Sequence, residues 1–150
     1  MAQYSFIPAA DSSELAEDLR ELFEELARSL ERGQRAYSGE YRPALDVRET
    51  DSAIEVVMDI AGVPAAAVRV VFRAGILLIA GEKAQPSAST GQTFHLVERE
   101  FGRFARAVRL TGAFDLQRGR AEVRHGELVI VLPKITDRRG QAHRIPVGGA

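Results

Sequence analysis

The sequence contains no cysteine among its 150 residues. A chain without cysteine has no disulfide framework, no thiol nucleophile and no cysteine metal site, so ordinary packing must hold it together. Charge of one sign is also lacking, since 20 Lys and Arg nearly balance 21 Asp and Glu. Net charge therefore gives no attraction to nucleic acid or anionic lipid, and we expect no nucleic-acid partner.

Long hydrophobic runs are missing as well. No stretch approaches the roughly 20 apolar residues of a membrane span. Residues 1–10 lack the basic start and apolar core of a signal peptide. We therefore expect a cytoplasmic protein with no membrane segment, in which one domain carries flanking arms.

The sequence shows no arrangement of catalytic side chains. His95, His125 and His143 are scattered without paired ligand spacing, and no serine lies in a Gly-x-Ser-x-Gly motif. Residues 75–83 have the wrong spacing for a phosphate loop, and no Ser or Thr follows Lys83. We expect no enzyme, no catalytic residue, no metal and no cofactor.

An amphipathic helix is predicted over residues 12–32. Apolar residues recur there at spacings of three and four, with acidic and basic residues between them. Asp11 with Glu14 resembles a capping box, and Gly33 supplies the stop. The apolar residues of this helix must be buried somewhere, either in the core of the chain or on another protein.

After residue 42 the hydrophobic period changes to two, which is typical of half-buried strands. Predicted strands cover 45–49, 54–60, 68–73, 76–80, 94–98, 104–110, 121–124 and 128–132. Many short strands separated by turn residues, with no long helix between them, predict an all-β sandwich. Residues 76–79 and 128–132 are apolar throughout, so something besides the opposing sheet must cover their second face.

Two segments have no apolar anchor. Residues 83–92 are small and polar, which predicts a long mobile loop. Residues 134–150 are polar and glycine-rich apart from Ile145, Pro146 and Val147. The sequence therefore divides into an arm over 1–42, a β-domain over 43–133 and a flexible C-terminal extension over 134–150.

Several separated motifs resemble one family. They are Pro-Ala-Leu-Asp-Val-Arg-Glu at 43–49, Val-Met-Asp-Ile-Ala-Gly-Val at 57–63, Gly-Ile-Leu-Leu-Ile-Ala-Gly-Glu at 75–82, the arginine-rich segment 98–110, and 121–134. Together with Ile145-Pro146-Val147, they are similar to the α-crystallin domain of small heat-shock proteins. The resemblance implies an immunoglobulin-like β-sandwich and an ATP-independent holdase chaperone that prevents aggregation of unfolding proteins.

The resemblance also implies partners and sites. Bacterial and plant members dimerise by lending a strand from the long loop, so the chain is expected to form homodimers and larger homo-oligomers. It would pass unfolding clients to ATP-dependent refolding chaperones. The implied dimer interface is Phe94, His95, Leu96, Val97, Glu100 and Arg106, with Glu100 as the carboxylate partner of Arg106.

Two further sites follow from the resemblance and the apolar pattern. The tail motif Ile145-Pro146-Val147 is the expected oligomer clasp, and its groove would be formed by Val68, Val70, Ala121 and Val123. The expected client-binding residues are Phe6, Ile7, Leu15, Leu19, Leu22, Phe23, Leu26 and Leu30.

Two alternatives remain open from the sequence. One is a monomeric co-chaperone adaptor built on a similar sandwich, which the tail motif and the long loop disfavour. The other is a small ligand-binding or hydrolytic β-sandwich enzyme, for which the sequence supplies no set of nucleophile and base.

Overall fold

The computed structural model describes residues 12–87, 89–135, 142 and 144–149. It contains helix α1 (Ser12–Glu31) and eight strands. The strands are β1 (Ala36–Gly39), β2 (Leu45–Glu49), β3 (Ala53–Asp59), β4 (Val68–Arg73), β5 (Ile76–Lys83), β6 (Gly102–Arg109), β7 (Arg120–Arg124) and β8 (Glu127–Pro133). Two short 3-10 helices, Ala65–Ala67 and Leu116–Arg118, lie in the connections.

The strands form two antiparallel four-stranded sheets. Sheet A has the order β1-β6-β5-β4, and sheet B has the order β2-β3-β8-β7. Each sheet therefore has two edge strands, β1 and β4 in sheet A and β2 and β7 in sheet B. The predicted all-β sandwich is confirmed.

The core between the sheets follows from the alternation of side chains along each strand. In β3 the alternate residues Ile54, Val56 and Met58 are buried, and in β8 Leu128, Ile130 and Leu132 are buried opposite them. Phe104 of β6 lies at the centre, with its ring packed edge-on against Tyr41 at a centroid distance of 5.5 Å.

Helix α1 packs against the outer face of sheet A. Its residues Leu22, Phe23 and Leu26 are buried against alternate residues of β5 and β6, and against Ala36 of β1. The structure thus identifies the cover for the all-apolar strand over residues 76–79. One face meets sheet B and the other meets the helix of the same chain.

The helix end and one hairpin turn show why particular residues are needed. Gly33 has φ +72°, and its N–H donates to the Leu30 carbonyl while Gln34 N–H donates to the Ser29 carbonyl. This pair of bonds is a Schellman motif, which ends the helix one residue before the predicted boundary. Between β7 and β8, His125 at φ +52° and Gly126 at φ +78° make the tight hairpin turn.

The strands of the structure differ from the predicted strands at two places, one strand that was not predicted and one predicted strand that is absent. Ala36–Gly39 forms β1 beside β6, although its short polar sequence gave no period-two signal. The predicted strand over residues 94–98 is absent from the single chain, where the segment is irregular. A strand needs a neighbour for its backbone N–H and C=O groups, and no sheet strand of the chain pairs with this segment.

Candidate oligomerisation and client-binding surfaces

The connection between β5 and β6 presents apolar side chains to solvent. The last paired residues of the hairpin are Lys83 and Gly102. Between them, Phe94, Leu96 and Val97 are 63, 74 and 64% exposed, and His95 and Glu100 are exposed as well. An apolar triplet this open, in a chain with a well-packed core, is typical of a surface that contacts another molecule.

The two ends of this connection are held together by a cation–π cluster. The Lys83 ammonium lies 5.0 Å from the ring centroid of Tyr41 and 5.4 Å from that of Phe101. Lys83 is only 8% exposed, so the rings replace much of the hydration of its charge. The connection therefore begins and ends at a fixed point, and its exposed middle can extend from there.

Arg106 lies at the sandwich edge formed by β1 and β2. Its guanidinium donates to the Pro43 carbonyl at 2.7 Å, which bridges the two sheets. Its Nε is buried and has no hydrogen-bond partner. Burial, reinforced by the nearby positive charge of Arg35, lowers the pKa of Arg106 below its usual value.

A cavity of about 460 Å³ surrounds this guanidinium. It is lined by Arg35, Tyr37, Arg42, Pro43, Ala44 and Arg106, a set that includes three arginines and no carboxylate. Burial also raises the pKa of Tyr37, so its hydroxyl stays neutral and donates to the Gly39 carbonyl. A carboxylate entering the cavity would meet three positive charges.

The neighbouring edge strand β2 is open to solvent. All of its residues after Leu45 are exposed, including the apolar Val47. Asp46 and Val47 also line a second cavity that reaches Arg106. The free strand edge, the exposed apolar residue and the arginine cavity therefore lie together.

The other two edges, β4 and β7, lie on the opposite side of the sandwich. The residues predicted as the clasp groove, Val68, Val70, Ala121 and Val123, all face inward, as their partners Gly81, Ile79, Ile130 and Leu128 show. Val68 is buried in the core, Val70 and Val123 are partly exposed, and Ala121 is exposed. The predicted groove residues are thus inward-facing side chains on two open edge strands.

The tail carries the most exposed apolar residues among those the structure describes. Ile145 is 82% exposed and Val147 is 97% exposed, with Pro146 between them. Within the described part of the chain, no tail residue occupies the groove between β4 and β7. The tail motif Ile145-Pro146-Val147 and its predicted groove are thus separate in the single chain.

The structure places the predicted client-binding residues at different depths. Leu22, Phe23 and Leu26 are buried between α1 and sheet A, and Leu19 and Leu30 are partly buried at the margins of this contact. Leu15 lies in the first half of α1, while Phe6 and Ile7 lie outside the described residues. The helix therefore has a partner within its own chain, and the buried residues reach another protein only when α1 leaves the sheet.

Sequence reasoning identified Arg106 but missed the residues around it. Arg35, Tyr37 and Arg42 come from β1 and its flanks, which carry no strand signal. Residues 35–42 do hold four basic or aromatic side chains close together in sequence, and that density was the available clue. Lys83 was also missed, although a lysine between two apolar strands in an arginine-rich chain is unusual.

The described part of the chain shows neither a cluster of metal ligands nor a helix able to span a membrane. No group of three His, Asp or Glu side chains there is placed to hold a metal ion. Helix α1 is too polar to cross a membrane.

Comparison with known proteins gives a consistent result. The profile of the Hsp20/alpha crystallin family matches residues 46–148. The 18.9 kDa heat shock protein of Oryza sativa subsp. japonica is 35% identical over 105 residues, which cover 69% of this chain and 59% of that protein. The chain spans about half to three fifths of the length of this and similar curated relatives.

Two solved structures share the fold. Heat shock protein 16.0 from Schizosaccharomyces pombe has a TM-score of 0.62 and 29% identity, and the match covers 73% of this chain and all of that one. A small heat-shock protein from Xylella fastidiosa, whose crystal structure reveals a distinct high order structure, has a TM-score of 0.62 and 31% identity over 73% of this chain and 99% of that one. With a matched profile over most of its length and a shared sandwich, this chain belongs to the Hsp20/alpha crystallin family of small heat-shock proteins.

Proposed function

We propose that this chain is an ATP-independent holdase that binds unfolding proteins and prevents their aggregation, working as an oligomer of strand-exchanged dimers. Members of its family are chaperones that use no ATP, and they are not enzymes. The family includes proteins that self-associate into larger assemblies. Refolding of the held clients would fall to ATP-dependent chaperones downstream.

One observation carries the proposal. A single chain leaves two apolar segments exposed, Phe94 to Val97 in the β5–β6 connection and Ile145 to Val147 in the tail, although its core is complete. Exposed apolar segments of this kind favour association, because removing them from water raises the entropy of the water and lowers the free energy. Each segment also has a matching open edge on the sandwich.

The first pairing is dimerisation through β2. Residues 94–98 of one protomer would add to the free edge of β2 in another, supplying the backbone partners that this segment lacks in its own chain. In the added strand, Phe94 and Leu96 would face one side of the sheet, and His95 and Val97 would face the other. The reciprocal exchange gives a two-fold dimer in which each protomer both lends and receives a strand.

The arginine cavity would fix the register of this exchange. Glu100 follows the lent segment by two residues and is exposed in the single chain. Its carboxylate would enter the partner's cavity and accept from the Arg106 guanidinium, whose Nε has no hydrogen-bond partner in the single chain. An ion pair at this half-buried guanidinium stabilises the dimer more than a fully exposed ion pair would.

The second pairing is assembly of dimers through the tail. Ile145 and Val147 project to the same side of an extended chain, while Pro146 keeps it extended and donates no hydrogen bond. They would dock between β4 and β7 of another dimer, against Val70, Ala121 and Val123 with Val68 beneath. Each clasp is weak, so an assembly depends on many of them acting together.

Client contacts would come from the N-terminal arm. Six of the proposed residues form one apolar stripe with acidic surroundings: Leu15, Leu19, Leu22, Phe23, Leu26 and Leu30. Phe6 and Ile7 precede this stripe in the sequence. Because the middle of this stripe is buried on sheet A, its use by clients requires α1 to detach.

The proposal predicts protection of a heat-aggregating model protein without nucleotide. Light scattering at constant client concentration should fall as this chain is added, and added ATP should change nothing. An equal mass of an inert globular protein serves as the control. Scattering that is unaffected by the chain, or lowered only with ATP, would contradict a holdase, and a monomeric mass by size exclusion would favour an adaptor.

Arg106→Ala should weaken the dimer without unfolding the protomer. We expect the dimer dissociation constant to rise about 10- to 100-fold, since the change removes the donor that would meet the partner's carboxylate. The protomer should keep its melting temperature, because the lost bond to Pro43 is offset by removal of a poorly solvated charge. Analytical ultracentrifugation over a dilution series measures the constant.

Arg120→Ala is the matched control, since Arg120 is exposed on β7, far from the cavity. Glu100→Gln should reproduce the Arg106→Ala effect, and the double variant should be no weaker than the worse single variant. Fully additive losses would show that Arg106 and Glu100 do not meet.

A further inference from the structure

The outer face of sheet A is apolar beneath α1. Its central residues are Ala36, Ile76, Leu78, Ala80, Ala105 and Ala107, here called the covered face. Strand register places them in rows, with Leu78 opposite Ala107 and Ala107 opposite Ala36. Because four of the six are alanines, a helix can approach the strands closely and lay large side chains between them.

Arginines border this face. Arg73 and Arg109 both pair with Ile76, so they share its outward side at one end, and Arg69 pairs with Ala80 at the β4 edge. The Arg73 guanidinium lies 5.9 Å from the ring centroid of Phe23. The covered face is thus an apolar seat with a positive border.

Helix α1 has the complementary charge. Its sequence holds seven acidic side chains and only two arginines. The residues that meet the covered face are apolar. Asp18 and Glu25 are half-buried and lie three or four residues from Leu22, beside this apolar stripe, whereas Glu17, Glu21 and Glu24 on the opposite side are exposed. Apolar contact and opposite charge therefore select the same kind of ligand, an acidic amphipathic helix.

We propose that the covered face is a second client site, taking acidic amphipathic helices of unfolding proteins in place of α1. The site rests on the proposed holdase function and adds to it. Helix α1 acts as a resident competitor that hides the seat. When α1 detaches, the chain exposes both its own apolar stripe and the seat beneath it.

The competition has a measurable consequence. A ligand that needs the undocked state binds with an apparent affinity reduced by the fraction of chains in that state. Weakening α1 without altering the seat should therefore strengthen binding in trans. If the apolar stripe of α1 were the only binding surface, the same change would weaken it.

The test uses the full chain and a fluorescently labelled peptide with the sequence of residues 12–31. Binding of the peptide is measured by fluorescence anisotropy. Leu22→Ala with Leu26→Ala should bind the peptide at least about tenfold more tightly than the parent. The comparison variant, Glu21→Ala with Glu24→Ala, leaves the apolar stripe intact and removes two exposed charges, so its peptide binding should tighten far less than that of the double-leucine variant. A scrambled peptide should not bind to either variant.

Two additions to the double-leucine variant locate the site. Ala107→Glu places a carboxylate in the seat and should abolish peptide binding, with far-UV circular dichroism checking that the sandwich is folded. Arg73→Glu with Arg109→Glu changes only exposed residues. It should weaken binding of the acidic peptide and strengthen binding of a peptide in which Asp18 and Glu25 are changed to lysine.

Binding that is no tighter after the leucine changes, or that survives Ala107→Glu, or that ignores the charge reversal, would overturn the proposal. None of these outcomes bears on the holdase itself, because protection by the unaltered chain is measured separately by light scattering. The two proposals can therefore fail independently.

Discussion

Shortening the β5–β6 connection should convert the protein into monomers. Replacing residues 84–92 with Gly-Ser leaves three residues between Lys83 and residue 94 of the original numbering. Three residues span at most about 10 Å, compared with roughly 33 Å for the ten present now. Because Lys83 is fixed by Tyr41 and Phe101, the lent segment could no longer reach another protomer.

The control keeps the length and changes the sequence. Replacing the same residues with nine glycines and serines should leave the dimer in place, because the connection supplies reach and no contacts. Sedimentation equilibrium at micromolar concentration distinguishes the two masses. Dimers in both variants would show that residues 94–98 are not exchanged, and monomers in both would show that the loop sequence itself makes contacts.

Ile145→Ala with Val147→Ala should reduce large oligomers to dimers. Burying the two side chains stabilises each clasp by about 3 to 6 kcal/mol before ordering costs are subtracted. One clasp is then near millimolar, and an assembly relies on many clasps at high effective concentration. Losing most of each small contribution should therefore remove the whole assembly, while the melting temperature of the sandwich stays unchanged.

Gly148→Ala with Gly149→Ala is the matched control, because it changes the same number of residues in the same tail and leaves Ile145 and Val147 unaltered. Sedimentation velocity across a dilution series should show parent-like oligomers for this control only. If the double variant at Ile145 and Val147 sedimented like the parent, the tail would not be the clasp.

The loop variant and the tail variant test the dimer and the larger oligomer separately, although the proposed function involves both. The loop variant should lose the dimer, whereas the tail variant should keep the dimer and lose only the larger particles. Light scattering with both variants would then show which level protects clients. Protection by tail-variant dimers would place client binding on the arm and the covered face, and not on the large particle.

Several features of the fold could be read from the sequence because their causes are local. The alternation in residues 54–60 predicted a strand with one buried face, and β3 buries Ile54, Val56 and Met58 as that pattern requires. Gly33 and the pair His125-Gly126 marked a helix stop and a tight turn, since few residues adopt positive φ. Arg106 was identified only through family resemblance.

Other features depended on contacts between residues distant in sequence. Ala36–Gly39 is a strand because β6 offers it a free edge, not because of its own composition. The amphipathic pattern of α1 showed that one side must be buried but could not say where, since a stripe fits a sheet face and a foreign partner equally well.

By itself, then, the sequence determined the helix, seven of the eight strands and which side of each is apolar, because periodicity and turn residues act within a few positions. Its separated motifs indicated the family. Only the tertiary structure decided that α1 covers the outer face of sheet A, that Lys83 is held by two rings, and that Arg106 keeps a buried donor without a partner. These three features depend on which surfaces come into contact when the helix and the sheets pack. Burial, strand pairing and unsatisfied hydrogen-bond donors arise from contacts between residues distant in sequence, so no local sequence pattern encodes them.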